Sequence, residues 1–411
     1  MTGREPTGEI LETDVLIVGG GFAGGTLACA LARGGVSSVV IDREDPKAAL
    51  RATYDGRAFA IALAAQRLLV GADLWDLMAD EVNPIGDIRV TDGDSLMFLH
   101  YDHESIGDEP FGFMIETQTL RRALAKKLPT LDLVTWAAPT EAGPIDRTNR
   151  GVETTLPDGR RVRAKLLVGA DGRGSRVREE AGIDLTSWSY HQTGIVCTVT
   201  HEYPHDNIAH EHFLPSGPFA ILPLKGNRSS IVWTEKEALT PAIMDLDDEG
   251  FLTELRRRFG DFMGDIAVSG PRFAYPLSLQ YAHRATDKRL ALVADAAHGM
   301  HPIAGQGLNM GLRDVAALAE VVVDAHRLGQ DIGAPVVLEA YERWRRFDNT
   351  LMLALTDGLN RLFSNNIPPL RVARDLGLAV VNKMPPVKKF FMRHAMGLVG
   401  DLPRMLKGEP L

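Results

Sequence analysis

Cysteine is nearly absent: the 411-residue chain holds two, Cys29 and Cys197, with no Cys or His neighbours at metal-ligand spacing. That argues against a disulfide framework and a zinc site, and it fits a reducing compartment. No uninterrupted apolar run reaches the roughly 18 residues of a membrane-spanning helix. The first apolar stretch, 15–32, follows Glu9, Glu12 and Asp14 where a secretory leader needs a basic region, and glycines interrupt it. A cytoplasmic protein is expected, attached at most to the inner face of a membrane. Positive charge is short too: 45 Lys and Arg against 54 Asp and Glu leave a net −9, which disfavours nucleic acid as a partner. Internal repeats and low-complexity tracts are missing. What remains, 45% hydrophobic and 24% charged, is a globular composition sized for two or three lobes.

Residues 1–12 are polar and read as a disordered tail. A buried strand at 13–18, a helix at 22–33 and a second strand at 38–42 make a βαβ opening. The stretch 56–69 looks helical, 87–101 alternates like strands around Asp92-Gly93-Asp94, and 119–128 reads as a helix. A hairpin over 152–168 turns at Pro157-Asp158-Gly159. Residues 190–280 are strand-rich, with one helix at 251–259. From Gly307 onward the chain is mainly helical, including a long segment, 336–363, that Gly358 is expected to break.

Three runs carry chemistry. Gly19-Gly20-Gly21-Phe22-Ala23-Gly24 fits G-x-G-x-x-G after a strand and before a helix. Gly19 makes the turn, Gly21 admits a pyrophosphate, and Gly24 lets helix and strand pack closely. Asp42, with Arg43 beside it, closes the second strand 23 residues after Gly19, where an acid holds adenosine ribose hydroxyls. The motif does not choose between FAD and NAD. The second run, Leu166 to Gly172, is a strand ending at Asp171-Gly172, followed by Ser175 and Arg178; its plain reading is an Asp-Gly turn with a Ser cap. The third is a strand from Arg289 ending at Asp295, then His298. It leads into His301-Pro302-Ile303-Ala304-Gly305-Gln306-Gly307-Leu308-Asn309-Met310-Gly311, closed by Asp314. This loop opens into a helix whose N-terminus, with about half a positive charge, suits an anion or a ring that turns anionic on reduction.

Together these runs resemble the FAD-dependent aromatic hydroxylases, the class A flavin monooxygenases. The likeness is greatest to the branch acting on ubiquinone precursors, where His-Pro-x-x-Gly-Gln-Gly-x-Asn-x-Gly-x-x-Asp recurs. The resemblance implies an α/β fold like para-hydroxybenzoate hydroxylase: a Rossmann-like FAD-binding domain, an inserted β-sheet substrate domain and a helical C-terminal region. On this chain the FAD domain would comprise 13–86, 103–189 and 281–330, the substrate domain 87–102 and 190–280, and the helical region 331–411. It further implies non-covalent FAD, with Asp171 at the pyrophosphate and Asp295 at the ribityl chain. Arg57, in Tyr54-Asp55-Gly56-Arg57-Ala58, would pair with the pyrophosphate. Pro302, Gly305, Gln306, Gly307, Leu308 and Asn309 would approach the isoalloxazine, the last two through backbone N–H groups. The family carries Gly where this sequence has Ala294. His298 and His301 read as loop-stabilising hydrogen-bonders, not metal ligands or acid–base groups.

A single G-x-G-x-x-G implies resident flavin. Its reductant either visits the same cleft, as NAD(P)H, or is a ferredoxin-type protein donor. In the family, reduced flavin and O2 form a C4a-hydroperoxide that hydroxylates an electron-rich ring. By resemblance the substrate is a polyprenylated phenol or benzoquinol in ubiquinone biosynthesis. No catalytic acid, base or nucleophile is assigned; Tyr190, His191, His212 and Tyr275 stand unranked as phenol-activating candidates. Rival readings are a flavin monooxygenase of soluble phenols and a silent flavoprotein subunit of a biosynthetic complex. A halogenase is disfavoured, because no Gly-Trp-x-Trp-x-Ile-Pro run is present. Residues 371–411 hold eight Lys or Arg and three Asp or Glu, a net of +5. Val387, Phe390, Phe391, His394 and Leu398 follow helical spacing there, with Lys388, Lys389 and Arg393 elsewhere on the turn. This predicts either a basic amphipathic surface for anionic lipid or a helix packed on the FAD domain or a partner.

Overall fold

The computed structural model describes residues 9–51, 56–93, 98–364, 374, 377 and 381–411. A six-stranded sheet runs in the order Thr286–Asp287, Leu290–Leu292, Leu166–Gly169, Val15–Val18, Ser38–Ile41, Val134–Ala137. All its pairings are parallel except the Thr286–Asp287 edge. Strands such as Val-Leu-Ile-Val at Val15–Val18 are apolar throughout because both faces are covered. Helices Phe22–Arg33 and Gln306–Arg327 pack one face, with Leu27, Leu31, Leu312 and Val315 in a single core. On the other face Leu16, Val39 and Leu290 meet a four-stranded sheet through Val152 and Val162.

A nine-stranded sheet is built around Leu185–His201, Arg228–Lys236, Gly217–Leu224 and Ile208–Leu214. Asp87–Asp92 and Phe98–Asp102 extend one end, and Phe273–Ala282 and His298–Gly299 the other. Its back face carries Ile195, Ile221, Ile231 and Trp233, buried under helix Asp248–Phe259 through Phe251 and Leu255. Its front face turns toward the flavin-type loop.

Several expectations are corrected. Residues 10–12, within the expected disordered tail, form a strand, Ile10–Glu12, parallel to Arg161–Ala164. Segment 56–69 is not one helix. Ala58–Ala62 is a strand antiparallel to Gly112–Glu116, and helix Leu63–Gly71 follows. An apolar run of small residues suits either element, and the long-range pairing decides. Gly358 does not break Pro335–Phe363. Buried Met352, Leu353, Thr356, Asn360 and Phe363 hold that helix against a glycine penalty of only about 1 kcal/mol. The strand-rich region begins at Leu185 and takes in His298–Gly299. The C-terminal segment lends Met392 and Met396 to a cluster with Leu63, Met114 and Ala209, and Met405 and Leu406 to the main core.

Candidate active site

The carboxyl ends of the parallel strands bring the three motif runs together. Gly19 has φ +102°, and a Cβ there would lie 2.3 Å from the Ala170 carbonyl oxygen, so this turn and the Asp171 turn touch. A Cβ on Gly24 would lie 1.8 Å from the Gly19 oxygen, which seats the helix directly on the turn, whereas a Cβ on Gly21 would meet nothing. One glycine therefore turns, one packs and one faces open space, as phosphate approach requires. Ala23 is buried, and half-buried Phe22 sits edge-to-face on Phe59 with centroids 5.3 Å apart. Asp42 Oδ2 accepts the Gly20 N–H (2.5 Å) and Oδ1 the Glu44 N–H (2.7 Å), fixing the acid at the strand end beside exposed Arg43. Asp171 Oδ2 accepts the Val177 N–H (3.1 Å), while its buried Oδ1 has no hydrogen-bond partner.

Asp295 is exposed on the accessible surface yet set deep among protein atoms, so burial raises its carboxyl pKa. An accessible carboxylate crowded in this way suits the wall of a cleft. Ala294, which replaces the family's glycine, has φ +52°. The left-handed geometry is kept at a cost of about 1–2 kcal/mol. Gly311 makes room for the added methyl: a Cβ there would lie 2.6 Å from that of Ala294.

The 302–309 loop is pinned from behind. Gly305 has φ +61°, where a Cβ would lie 3.1 Å from that of Ala60. Asn309 donates to the Ala60 and Gly305 carbonyls (2.8 and 2.9 Å) and accepts the Ala62 N–H (2.8 Å). Its side chain is thus structural, leaving only its backbone for a ligand. Pro302, Gly305, Gln306, Gly307 and Leu308 are half-exposed, and a Cβ on Gly307 would meet nothing. Arg57 lies with Cζ 5.9 Å from the Tyr275 ring centroid, and its carbonyl accepts the Thr117 N–H (3.0 Å). Tyr54 and Asp55 of its motif lie outside the described residues.

His298 is a hydrogen-bonder: its Nε2 lies 2.6 Å from Asp314 Oδ2. His301 is not. Both its buried ring nitrogens lack a hydrogen-bond partner, the ring packs edge-on against Tyr190 (5.1 Å), and burial pushes its pKa down to about 4. Burial outweighs the opposing charge of nearby Asp357, so this imidazole stays neutral.

The sheet opposite the loop has one open face. Val90, Glu211, Leu222, Val232 and Val196 point forward from neighbouring strands and are half-exposed around buried Ala220, although Ile221, Ile231 and Ile195 behind them are fully buried. A chamber therefore separates the front of the sheet from the loop. Of the unranked candidates, Tyr275 shares this front face with Gly194. His212 points to the back, 2.7 Å from Thr91 and stacked on His210. His191, at φ +52°, turns outward to Glu237 (3.6 Å). Burial, with Asp357 nearby, holds the Tyr190 phenol above its ordinary range.

An FAD-binding-domain model matches residues 12–348. "Ubiquinone hydroxylase UbiL" of Rhodospirillum rubrum is 58% identical over 97% of this chain and 93% of that protein. "3-demethoxyubiquinol 3-hydroxylase" of Escherichia coli is 34% identical over 94% of this chain and 99% of its own length. Among solved structures, p-nitrophenol 4-monooxygenase PnpA of Pseudomonas putida superposes with TM-score 0.77 at 21% identity, over 95% of this chain and 99% of that one, which establishes the shared fold. The open phosphate turn, the recessed Asp295 and the pinned glycine loop fit a flavin dinucleotide. This chain belongs to the FAD-binding family of flavin-dependent monooxygenases that includes the ubiquinone hydroxylases.

Proposed function

We propose that this enzyme hydroxylates the aromatic ring of a polyprenylated phenol or benzoquinol on the route to ubiquinone. Dioxygen is the co-substrate, and NAD(P)H or a ferredoxin-type protein supplies the electrons. The carrying observation is the half-exposed front face of the sheet opposite the glycine loop, in a chain similar to a ubiquinone hydroxylase along nearly its whole length. FAD, when bound and reduced, supplies the oxygen activation; the protein's contribution is binding, orientation and exclusion of water.

In this reading Gly21 and the N-terminus of Phe22–Arg33 hold the pyrophosphate, with Asp171 and Arg57 beside it, Asp42 at the ribose and Asp295 at the ribityl chain. The loop 302–309 meets the ring system, where the start of Gln306–Arg327 favours negative charge through its dipole. The apolar front face receives the substrate ring. A membrane-facing location is supported by helix Pro385–Ala395, which shows Phe390 and Phe391 to solvent beside Lys388, Lys389 and Arg393. No described helix is long and apolar enough to cross a membrane. Quinone profiling of a strain lacking the chain tests the function: it should accumulate a prenylated ring precursor short of one hydroxyl. An unchanged quinone profile counts for the soluble-phenol or silent-subunit reading.

A further inference from the structure

Glu211 is the residue that the fold places most oddly. It sits mid-strand in Ile208–Leu214, paired with Val90 on one side and Ala220 on the other. Its same-face neighbours are apolar: Ala209 packs with Leu63, Met114 and Met392, and Phe213 stacks on Phe363 at 4.1 Å in a cluster with Ile303 of the loop. Strand alternation therefore aims the Glu211 side chain into the chamber between these clusters. Its carboxyl makes no hydrogen bond or ion pair among the described residues. It is enclosed by protein yet half-exposed, so what its carboxyl touches is the chamber.

We propose that Glu211 is the catalytic base that takes the proton of the substrate's ring hydroxyl. This deepens the hydroxylase reading and rests on it. The O–H bond breaks, its proton goes to a Glu211 carboxylate oxygen, and its electron pair stays on the ring oxygen. The resulting negative charge spreads to the ring carbon that takes the oxygen atom, making that carbon more nucleophilic. Afterwards that carbon loses its hydrogen as a proton when aromaticity returns, that proton leaves with the second oxygen atom of dioxygen as water, and Glu211 hands its own proton back to the ring oxygen. The ring gains one oxygen atom and Glu211 is regenerated as a carboxylate.

Burial pushes the Glu211 carboxyl up to about 7, with no charged neighbour contributing. A general base works best near the ambient pH. The ionisable groups on the same face of the strands around it are Asp92 bonded to Arg374 (2.8 Å), Tyr101, whose phenol burial raises, and Arg228 bonded to Glu116 (2.6 Å); His301 and His394, which burial lowers, lie on neighbouring elements, and Asp87, Arg89, His100, His210 and His212 alternate to the back face. The strands Ala58–Ala62 and Gly217–Leu224 carry none.

The test uses purified holoenzyme, its flavin reduced with dithionite and then mixed with oxygenated buffer and 2-geranylphenol in a single turnover, which removes the natural donor from the question. The parent's product-forming rate should rise with pH through about 7. Glu211→Gln should keep its FAD and lose about 10²-fold or more in that rate near neutrality. Its rate should then climb toward the parent's as the phenol ionises unaided near pH 10, a convergence that a merely structural residue would not produce. Stability supplies a readout without substrate. A carboxyl at about 7 when folded and about 4.3 when unfolded favours the native state when protonated. The parent should therefore lose melting temperature relative to Glu211→Gln as pH rises across that window, and no further above it. If Glu211→Gln loses its FAD, Glu211→Asp decides: it should keep the pH limb at a reduced rate. A Gln variant matching the parent in rate and pH profile, or an Asp variant that keeps its rate without the limb, overturns the assignment alone. A parent that forms no hydroxylated product overturns the hydroxylase reading, and Glu211 falls with it.

Discussion

Asp314 is fully buried and remains charged because of what surrounds it. Burial alone would raise its pKa, but the charges of His298 and Arg345 more than offset that and hold the carboxyl well below the usual range. It accepts from Arg345 Nε (2.8 Å), the Ala294 N–H (3.0 Å) and Asn349 Nδ2 (3.3 Å), tying the Asp295 turn, the loop helix and helix Pro335–Phe363 to one atom pair. Because its folded pKa lies below the unfolded value of about 3.9, this stability is present above that pH and is lost as pH falls further. Asp314→Ala, which removes the buried carboxylate that Arg345 Nε and the His298 ring bond, should cost about 3–5 kcal/mol at neutral pH, a penalty that shrinks below about pH 4. Urea melts check both, and a neutral-pH loss under about 1 kcal/mol would contradict this account. At this scale the sequence was legible where one residue type has one use. Gly19, Gly21 and Gly24 take the three geometries their spacing implies. Arg345 and Asn349 were invisible because helix packing brings them to Asp314 from 31 and 35 residues away. Glu211 was missed because His-Glu-His reads as a wet strand, and only the sheet order shows that its Glu face is interior.

Elements were legible when their periodicity was local. Helix Phe22–Arg33 has the expected bounds, and Asp87–Asp92 and Phe98–Asp102 are strands as expected, while Asp94 of the turn between them lies outside the described residues. Ala58–Ala62 was not, because its partner strand and the Asn309 side chain that bonds its backbone lie far along the chain. Helix Pro385–Ala395 is divided between the two readings the sequence left open. Met392 is fully buried, while Phe390 is 54% exposed, so one face packs and the opposite edge, with Lys389 and Arg393, stays out; Lys388 lies at the border, half-buried and donating to Asn382 Oδ1 (3.1 Å). Each basic residue near an anionic bilayer contributes about 1 kcal/mol, and salt screens it. Replacing those three with Gln should weaken binding to anionic phosphatidylserine vesicles, most at low salt, and leave FAD content unchanged. Undiminished vesicle binding rules out the lipid surface, and lost FAD would mean that the basic edge is structural.

At the scale of the molecule, the two sheets have different tasks. The parallel sheet ends in three turns side by side, and the nine-stranded sheet offers a half-open face to the loop that links them. The strand at His298–Gly299 joins the second sheet immediately after the Asp295 turn of the first, so the two sheets are held together there in one covalent run. The motifs made the first sheet readable, since each marks a strand end. The chamber was not readable, because it depends on which face of five neighbouring strands goes uncovered. Everything then converges on one chemical event at that chamber. The direct test supplies the reduced holoenzyme with heavy-oxygen-labelled dioxygen in ordinary water and a prenylated phenol, and weighs the product. One labelled atom in the ring hydroxyl is the predicted result; a product hydroxyl carrying oxygen from water, or no hydroxylated product at all, would contradict the account.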